Sequence, residues 1–352
     1  MLPYLTARAP WFTFLVHPRD PSDLMLAGVG SVLREYSEGE EDFQRKSCSL
    51  PPLVVGEVAV GSNAVRGELV VAMCLPRDIM SRAGQRAVIA AAQMSAQRGT
   101  RVLGLGALAS PATGGGALLL DELPPSVTVT NGNAYTAAVA KHNVVEACAI
   151  LQHTPPTCRV AVVGCTGSVG VATSKLLADA GFDLLLVGRS ASRARTLLGS
   201  LADRATFAGD LAAVRGAEIV LLLTSDPSAK LVPEMVSAGA IVIDVAQPLN
   251  IAPEHRGAFR RRGIDVVQGG IVEIPGYRCS YEMNMPARGA FACMAETYLF
   301  AREGIREHSV GRPGAEFALH LERLARKHGV APMALDITRP QGLAPQLVAA
   351  GS

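Results

Sequence analysis

Charge of one sign is what this 352-residue chain lacks most plainly: 33 Lys and Arg against 31 Asp and Glu leave a net charge of +2. A near-neutral surface has no broad field to gather nucleic acid or an anionic membrane, so a charged partner must be met by a local patch. Aromatic residues are scarce, at 5%, which argues against stacking platforms for single-stranded nucleic acid. The seven cysteines are Cys48, Cys74, Cys148, Cys158, Cys165, Cys279 and Cys293, and they include no Cys-x-x-Cys pair and no Cys/His cluster at zinc spacing. Reduced thiols are expected, one or two of them reactive at most, and no metal site. The apolar patch at 11–16 is too short to span a bilayer, and the start lacks a signal-like cationic stretch and cleavage site. A cytoplasmic protein without a membrane span is expected.

Apolar residues are plentiful, at 49% against 18% charged, the composition of a globular protein with a large core. The length exceeds what one core usually fills, so two domains are expected. Residues 1–132 read as an N-terminal α/β substrate-binding domain: a strand at 11–16, a helix at 22–35, then a polar loop. Strands at 53–60 and 67–73 follow, joined by a Gly61-Ser62-Asn63 turn, then a helix at 78–98 and a strand at 101–105.

Residues 133–285 open on a helix at 134–151. Strands at 159–163, 183–187, 205–207, 218–223, 240–245 and 264–267 then alternate with helices, those after the fourth and fifth strands at 229–237 and 253–262. That alternation predicts a Rossmann domain, a doubly wound parallel sheet. Residues 286–352 read as a C-terminal helical segment, with one helix opened by Pro286, another at 315–327, and an aperiodic, mobile tail.

Gly164-Cys165-Thr166-Gly167-Ser168-Val169-Gly170 lies between the first strand and first helix of the alternation. Small residues there let backbone approach a pyrophosphate at the N-terminus of the helix, so Gly164, Thr166, Gly167, Ser168, Val169 and Gly170 are the candidate cofactor contacts. The G-x-x-G-x-x-G spacing is weak alone; its strand-turn-helix context is what makes it specific. At the end of the second strand an NAD-selective site places an acid on the ribose 2′-hydroxyl, and here stand Arg189, Ser190 and Arg193. Two guanidinium groups and a hydroxyl suit a 2′-phosphate, so NADPH is the expected cofactor.

Several blocks along the chain carry a family resemblance. They are Phe14-Leu15-Val16-His17, Leu75-Pro76, Gly104-Leu105-Gly106-Ala107, Thr130-Asn131-Gly132-Asn133, the glycine turn, and Gly269-Gly270-Ile271-Val272-Glu273. The two most specific are Met285-Pro286-Ala287-Arg288 and Ala292-Cys293-Met294-Ala295-Glu296. Over most of its length the chain resembles the long-chain acyl-acyl-carrier-protein reductases, the fatty-aldehyde-forming enzymes of cyanobacteria. By composition alone Cys293 reads as a core residue; the resemblance implies that it is the nucleophile that takes an acyl group from the carrier's thiol. Thiolate attack on a thioester suits that role. The resemblance implies an acyl-carrier protein or acyl-CoA as the partner that brings the substrate.

The chain departs from the family pattern at Ala246-Gln247-Pro248, where the family carries glycines after Asp244, and at Ile274, where it carries His. These departures bear on the choice of acyl group. Amides at 106–110 or 269–271, or the Asn133 side chain, are candidates to stabilise an oxyanion. The arginines Arg256, Arg260, Arg261 and Arg262 could meet an acidic carrier or could simply be a solvated helix face. His17 and His142 show no acidic partner, and the apolar stripe Val88, Ala91 and Ala92 reads as core. Two other readings remain open: a shikimate-dehydrogenase-like NADP enzyme acting on a free carbonyl without a thiol, and a non-catalytic NADPH-binding scaffold. The sequence leaves the oligomeric state open.

Overall fold

Apolar runs of three to eight residues become two six-stranded sheets in the computed structural model, which describes residues 11–337 apart from 27–28, 62–64, 227–228, 284 and 287. The described residues divide into two compact units, one holding 11–136 together with 271–331, the other holding 137–270 with 332–337. Residues 286–331 therefore belong with the N-terminal region rather than apart from it.

In the first unit the strands are β1 (Phe12–Val16), β2 (Leu53–Val60), β3 (Val65–Val71), β4 (Val102–Leu105) and β5 (Thr128–Thr130). The sheet order is Tyr277–Cys279, β2, β3, β1, β4, β5. From β3 to β5 neighbours are parallel; Tyr277–Cys279, β2 and β3 are antiparallel. The strand Tyr277–Cys279 on the β2 edge is one reason the late segment returns to this unit. The helix Arg82–Gln97 starts where the Ser81 hydroxyl accepts the Gly84 N–H, the usual way to satisfy a free helical donor. Its Val88, Ala91 and Ala92 are fully buried with Leu15, Leu103 and Leu105.

In the second unit β6 (Arg159–Val163), β7 (Asp183–Val187), β8 (Thr206–Ala208), β9 (Ile219–Leu222), β10 (Ile241–Asp244) and β11 (Asp265–Gln268) form an all-parallel sheet in the order β8-β7-β6-β9-β10-β11. Every residue of β9 and β10 is buried, as expected where both faces of a parallel sheet are covered. The strand order reverses between β6 and β9, and the crevice there is where such sheets bind ligands.

Several expectations are corrected. The region 22–35 holds two helices, Pro21–Leu26 and Val29–Glu35, and the polar loop after it contains a third, Glu40–Ser47. Of the expected hairpin turn, Ser62 and Asn63 lie outside the described residues, while Gly61 is left-handed at φ 73°. No long helix fills 229–237, only a tight turn over Pro233–Met235. Pro233 cannot sit inside a helix, and it drives Val232 to an extended φ −114°, ψ 154°.

Pro286 opens no helix either. Arg288 is left-handed at φ 65°, Gly289–Phe291 pairs antiparallel with Ile271–Glu273, and the helix begins only at Ala292. Cys293 therefore stands in a first helical turn, and not one or more turns inside a helix. Cys48 and Cys74 are joined as a disulfide, against the expectation of reduced thiols throughout. They are 26 residues apart in sequence, and only the fold brings the end of the helix Glu40–Ser47 beside the residues following β3.

Candidate functional site

The glycine turn follows β6 as its spacing predicts. Gly164 takes φ 88°, a left-handed conformation that a side chain disfavours. A Cβ there would also come within 3.0 Å of the Thr224 nitrogen beyond β9. Gly167 precedes the helix Ser168–Asp179 and offers no side chain to cap it, leaving a helix start suited to an anion. Gly170 has a different role: a Cβ on it would lie 2.1 Å from the Gly164 carbonyl oxygen, so its absence lets the helix pack against the turn. Cys165 points into the core, fully buried, with burial pushing its thiol up to about 11.

At the end of β7 the structure partly redistributes the expected roles. Ser190 caps the helix Ala191–Leu198, its hydroxyl accepting the Arg193 N–H at 3.2 Å. Arg189 and Arg193 are exposed, and Arg189 pairs with Asp226 at 3.3 Å. Sequence reading missed Asp226 because it comes from the loop after β9, 37 positions further along the chain. The glycine turn and the helix start behind it fit the pyrophosphate of a nicotinamide dinucleotide.

In the first unit the Cys293 site is built from turns that follow β4 and β5. A Cβ on Gly132 would lie 2.2 Å from the Cys293 Cβ, so the Asn131-Gly132-Asn133 turn rests directly on the cysteine. Glu296, one turn later and fully buried, fixes that wall. It accepts the Thr130 hydroxyl at 2.5 Å, the Ser309 hydroxyl at 3.2 Å and the Tyr135 N–H at 2.7 Å, and the Ala134 N–H also faces it. Burial raises its pKa, and these donors oppose the rise. Asn131 braces the turn by donating to the carbonyls of Gly115 and Gly311.

Cys293 is half-buried. Desolvation pushes its thiol up to about 12, with Glu296 adding to the rise. Three backbone N–H groups work the other way: those of Met294, Cys293 itself and Ala107. Ala107 follows β4 with φ 47°, a conformation non-glycine residues seldom hold. Of the amides at 106–110, that of Ala107 faces the cysteine, while those of Gly106, Leu108 and Ala109 bond to Leu15, His17 and Gly106. Gly270, by contrast, donates its N–H to Asn143 Oδ1 at 3.0 Å.

His17, just after β1, is buried and held on both sides. Its Nδ1 lies 2.8 Å from the Pro18 carbonyl, and the Leu108 N–H donates to its Nε2 at 3.3 Å. A carbonyl can only accept, so Nδ1 carries the proton and Nε2 is the bare acceptor of a neutral ring. Burial lowers its pKa. His142 is exposed on its helix. Arg260, Arg261 and Arg262 are exposed in the second unit, and Arg256 is half-buried.

Residues 159–275 match the family model for the NAD-binding domain of semialdehyde dehydrogenases. That stretch is thus a nicotinamide-dinucleotide-binding domain. The chain is 26% identical over 346 residues to aminotransferase PigE of a Serratia species, a match covering 92% of this chain and 40% of that protein. The chain thus spans well under half the length of that relative. It is 28% identical over 330 residues to a long-chain acyl-acyl-carrier-protein reductase of Synechococcus elongatus, covering 86% of this chain and 93% of that one. Among solved structures, the malic enzyme of Entamoeba histolytica aligns over 93% of the chain and 65% of its own, at 15% identity and a TM-score of 0.44, too distant to bear on function. Among the described residues no helix is long and apolar enough to cross a membrane and no cluster could hold a metal ion.

Proposed function

We propose that the protein reduces an acyl thioester, delivered on an acyl-carrier protein or coenzyme A, to an aldehyde, with Cys293 as the nucleophile and NADPH as the cofactor. The carrying observation is the half-buried Cys293 in a first helical turn, faced by the Ala107 N–H and walled by Gly132. Gly164, Thr166, Gly167, Ser168, Val169 and Gly170 would hold the pyrophosphate, with Arg189, Ser190 and Arg193 at the 2′-phosphate. When bound, the reduced dinucleotide supplies a hydride for the acyl carbon.

The Cys293 sulfur forms a bond to the acyl carbon while the bond to the carrier sulfur breaks, and the thiol proton ends on the departing carrier. The helix start and the Ala107 N–H favour the thiolate that burial disfavours. After reduction the same donor faces the oxyanion of the thiohemiacetal on Cys293. Collapse of that adduct re-forms the carbonyl, breaks the carbon–sulfur bond and returns the electron pair to Cys293. An aldehyde is a carbonyl that an aminotransferase consumes, in keeping with the name of the Serratia relative.

The test is aldehyde release, trapped as a hydrazone, from acyl-carrier protein or acyl-CoA with NADPH. One NADPH consumed per aldehyde is expected; turnover of a free carbonyl unaffected by Cys293→Ala would overturn the reading in favour of a shikimate-dehydrogenase-like enzyme. Tight NADPH binding without turnover of any thioester would favour a scaffold. Arg189→Ala should weaken NADPH binding about tenfold and leave NADH unchanged, the loss of one charge-assisted contact, measured as dissociation constants by fluorescence. Equal losses for both cofactors would remove the 2′-phosphate assignment.

A further inference from the structure

A left-handed alanine beside a reactive thiol requires something to hold it. Ala107 sits between Gly106, whose N–H donates to the Leu15 carbonyl at 2.8 Å, and Leu108, whose N–H donates to His17 Nε2. Gly106 itself has no room for a side chain: a Cβ would meet the Leu15 oxygen at 2.7 Å and the Phe14 ring at 2.8 Å. The turn is therefore pinned on both flanks to the C-terminal end of β1. The cysteine helix rests on the neighbouring strand, where a Cβ on Gly104 would strike the Thr297 hydroxyl at 1.9 Å. Thr297 lies one helical turn beyond Cys293 and donates to its carbonyl at 3.0 Å. β1, β4 and the start of the Cys293 helix thus meet at the Gly106-Ala107-Leu108 turn.

We infer that His17 is a positioning residue for the Cys293 chemistry: its neutral ring accepts the Leu108 N–H through Nε2 and so keeps the Ala107 N–H aimed at the Cys293 sulfur. The inference rests on the reading of Cys293 as nucleophile for its role in turnover, but the geometric claim stands apart from that reading. A protonated ring, or the tautomer with the proton on Nε2, has no acceptor for Leu108. The turn would then lose its anchor, and Ala107 would be free to leave a conformation it does not favour. The thiolate and the later oxyanion would lose one N–H donor together.

Two variants separate an acceptor from a space-filler: His17→Leu fills the volume without an acceptor, and His17→Gln supplies a side-chain oxygen. The readout is iodoacetamide alkylation of Cys293 in the full-length protein at pH 7 to 9, quantified by peptide mass spectrometry. Cys279 in the same samples is the internal reference. His17→Leu is expected to slow Cys293 alkylation about tenfold, the worth of one hydrogen bond to a charged group, with Cys279 unchanged and His17→Gln recovering most of the rate. Equal rates in wild type and folded His17→Leu overturn the inference, as does equal slowing in both variants. If His17→Leu does not fold, 15N-histidine NMR of the wild-type protein decides: His17 as the Nδ1–H tautomer at pH 7 supports the inference, and an Nε2–H tautomer or a cation contradicts it. None of these readouts requires turnover, so a failed aldehyde assay with slowed alkylation would fault the proposed reaction and leave the role of His17 intact.

Discussion

Cys165 and Cys293 each stand beside a glycine turn at the C-terminal edge of parallel strands, and burial pushes both thiols up, to about 11 and about 12. Acidity in the resting protein does not separate them. Access and directed donors do. Cys165 is fully exhausted by packing: none of it is exposed, and a Cβ on Gly188 would sit 3.2 Å from its sulfur. Cys293 is half-buried, occupies the second position of the helix Ala292–Glu303, and faces an N–H from a separate turn. A thiol can be costly to ionise and still be the reactive one, provided donors await the charge where it develops.

The largest expected difference between the two is in turnover. Cys293→Ala should lower it by at least about a thousandfold, as loss of a covalent nucleophile does, while Cys165→Ala should stay within about threefold; steady-state NADPH oxidation measures both. A large loss in Cys165→Ala with Cys293→Ala unharmed would invert the comparison. The glycines beside them should separate in the same way. Gly132→Ala forces a Cβ against Cys293 at a left-handed position and is expected to cut turnover about a hundredfold by misplacing the sulfur. Gly170→Ala should instead abolish dinucleotide binding and leave Cys293 alkylation unchanged.

Next in size is the wall of the cysteine site. Glu296→Ala leaves the donors of Thr130, Ser309, Ala134 and Tyr135 without their carboxylate and should cost about 3 kcal/mol of stability by denaturant unfolding. A cost near zero would show that the turn carrying Gly132 does not depend on it. Smallest is a pH effect at His17. Its folded pKa is lowered from the ordinary 6.5, so below that pH the unfolded chain takes up a proton that the folded chain refuses. Stability should fall as pH drops below about 6.5, and His17→Gln should flatten that part of the unfolding profile. An unchanged profile would mean that His17 titrates normally.

The second unit was the more legible in sequence because its signals are local. Strand, turn and helix follow within some twenty residues from Arg159 to Asp179, and periodicity plus three glycines suffice to read them. Asp226 beside Arg189 escaped because no local pattern announces a partner from another loop. The cysteine site is the opposite case. Ala107, Gly132, Glu296 and His17 are scattered over nearly 280 positions, and only the motif resemblance marked their blocks. Pro286 misled because a proline at a helix start resembles one that opens a turn before a strand; Arg288 at φ 65° decides between them. The Cys48–Cys74 pair was hidden for the same reason as the site, since its partners meet only through the fold.

The most direct test of the central claim is acyl trapping on the intact protein: incubate it with acyl-carrier protein bearing a thioester, omit NADPH, and map the added mass by peptide mass spectrometry. Acyl mass is expected on the peptide containing Cys293, discharged as aldehyde when NADPH is added, and absent in Cys293→Ala. Acyl mass that persists in Cys293→Ala, or aldehyde formed at the wild-type rate by that variant, would contradict it.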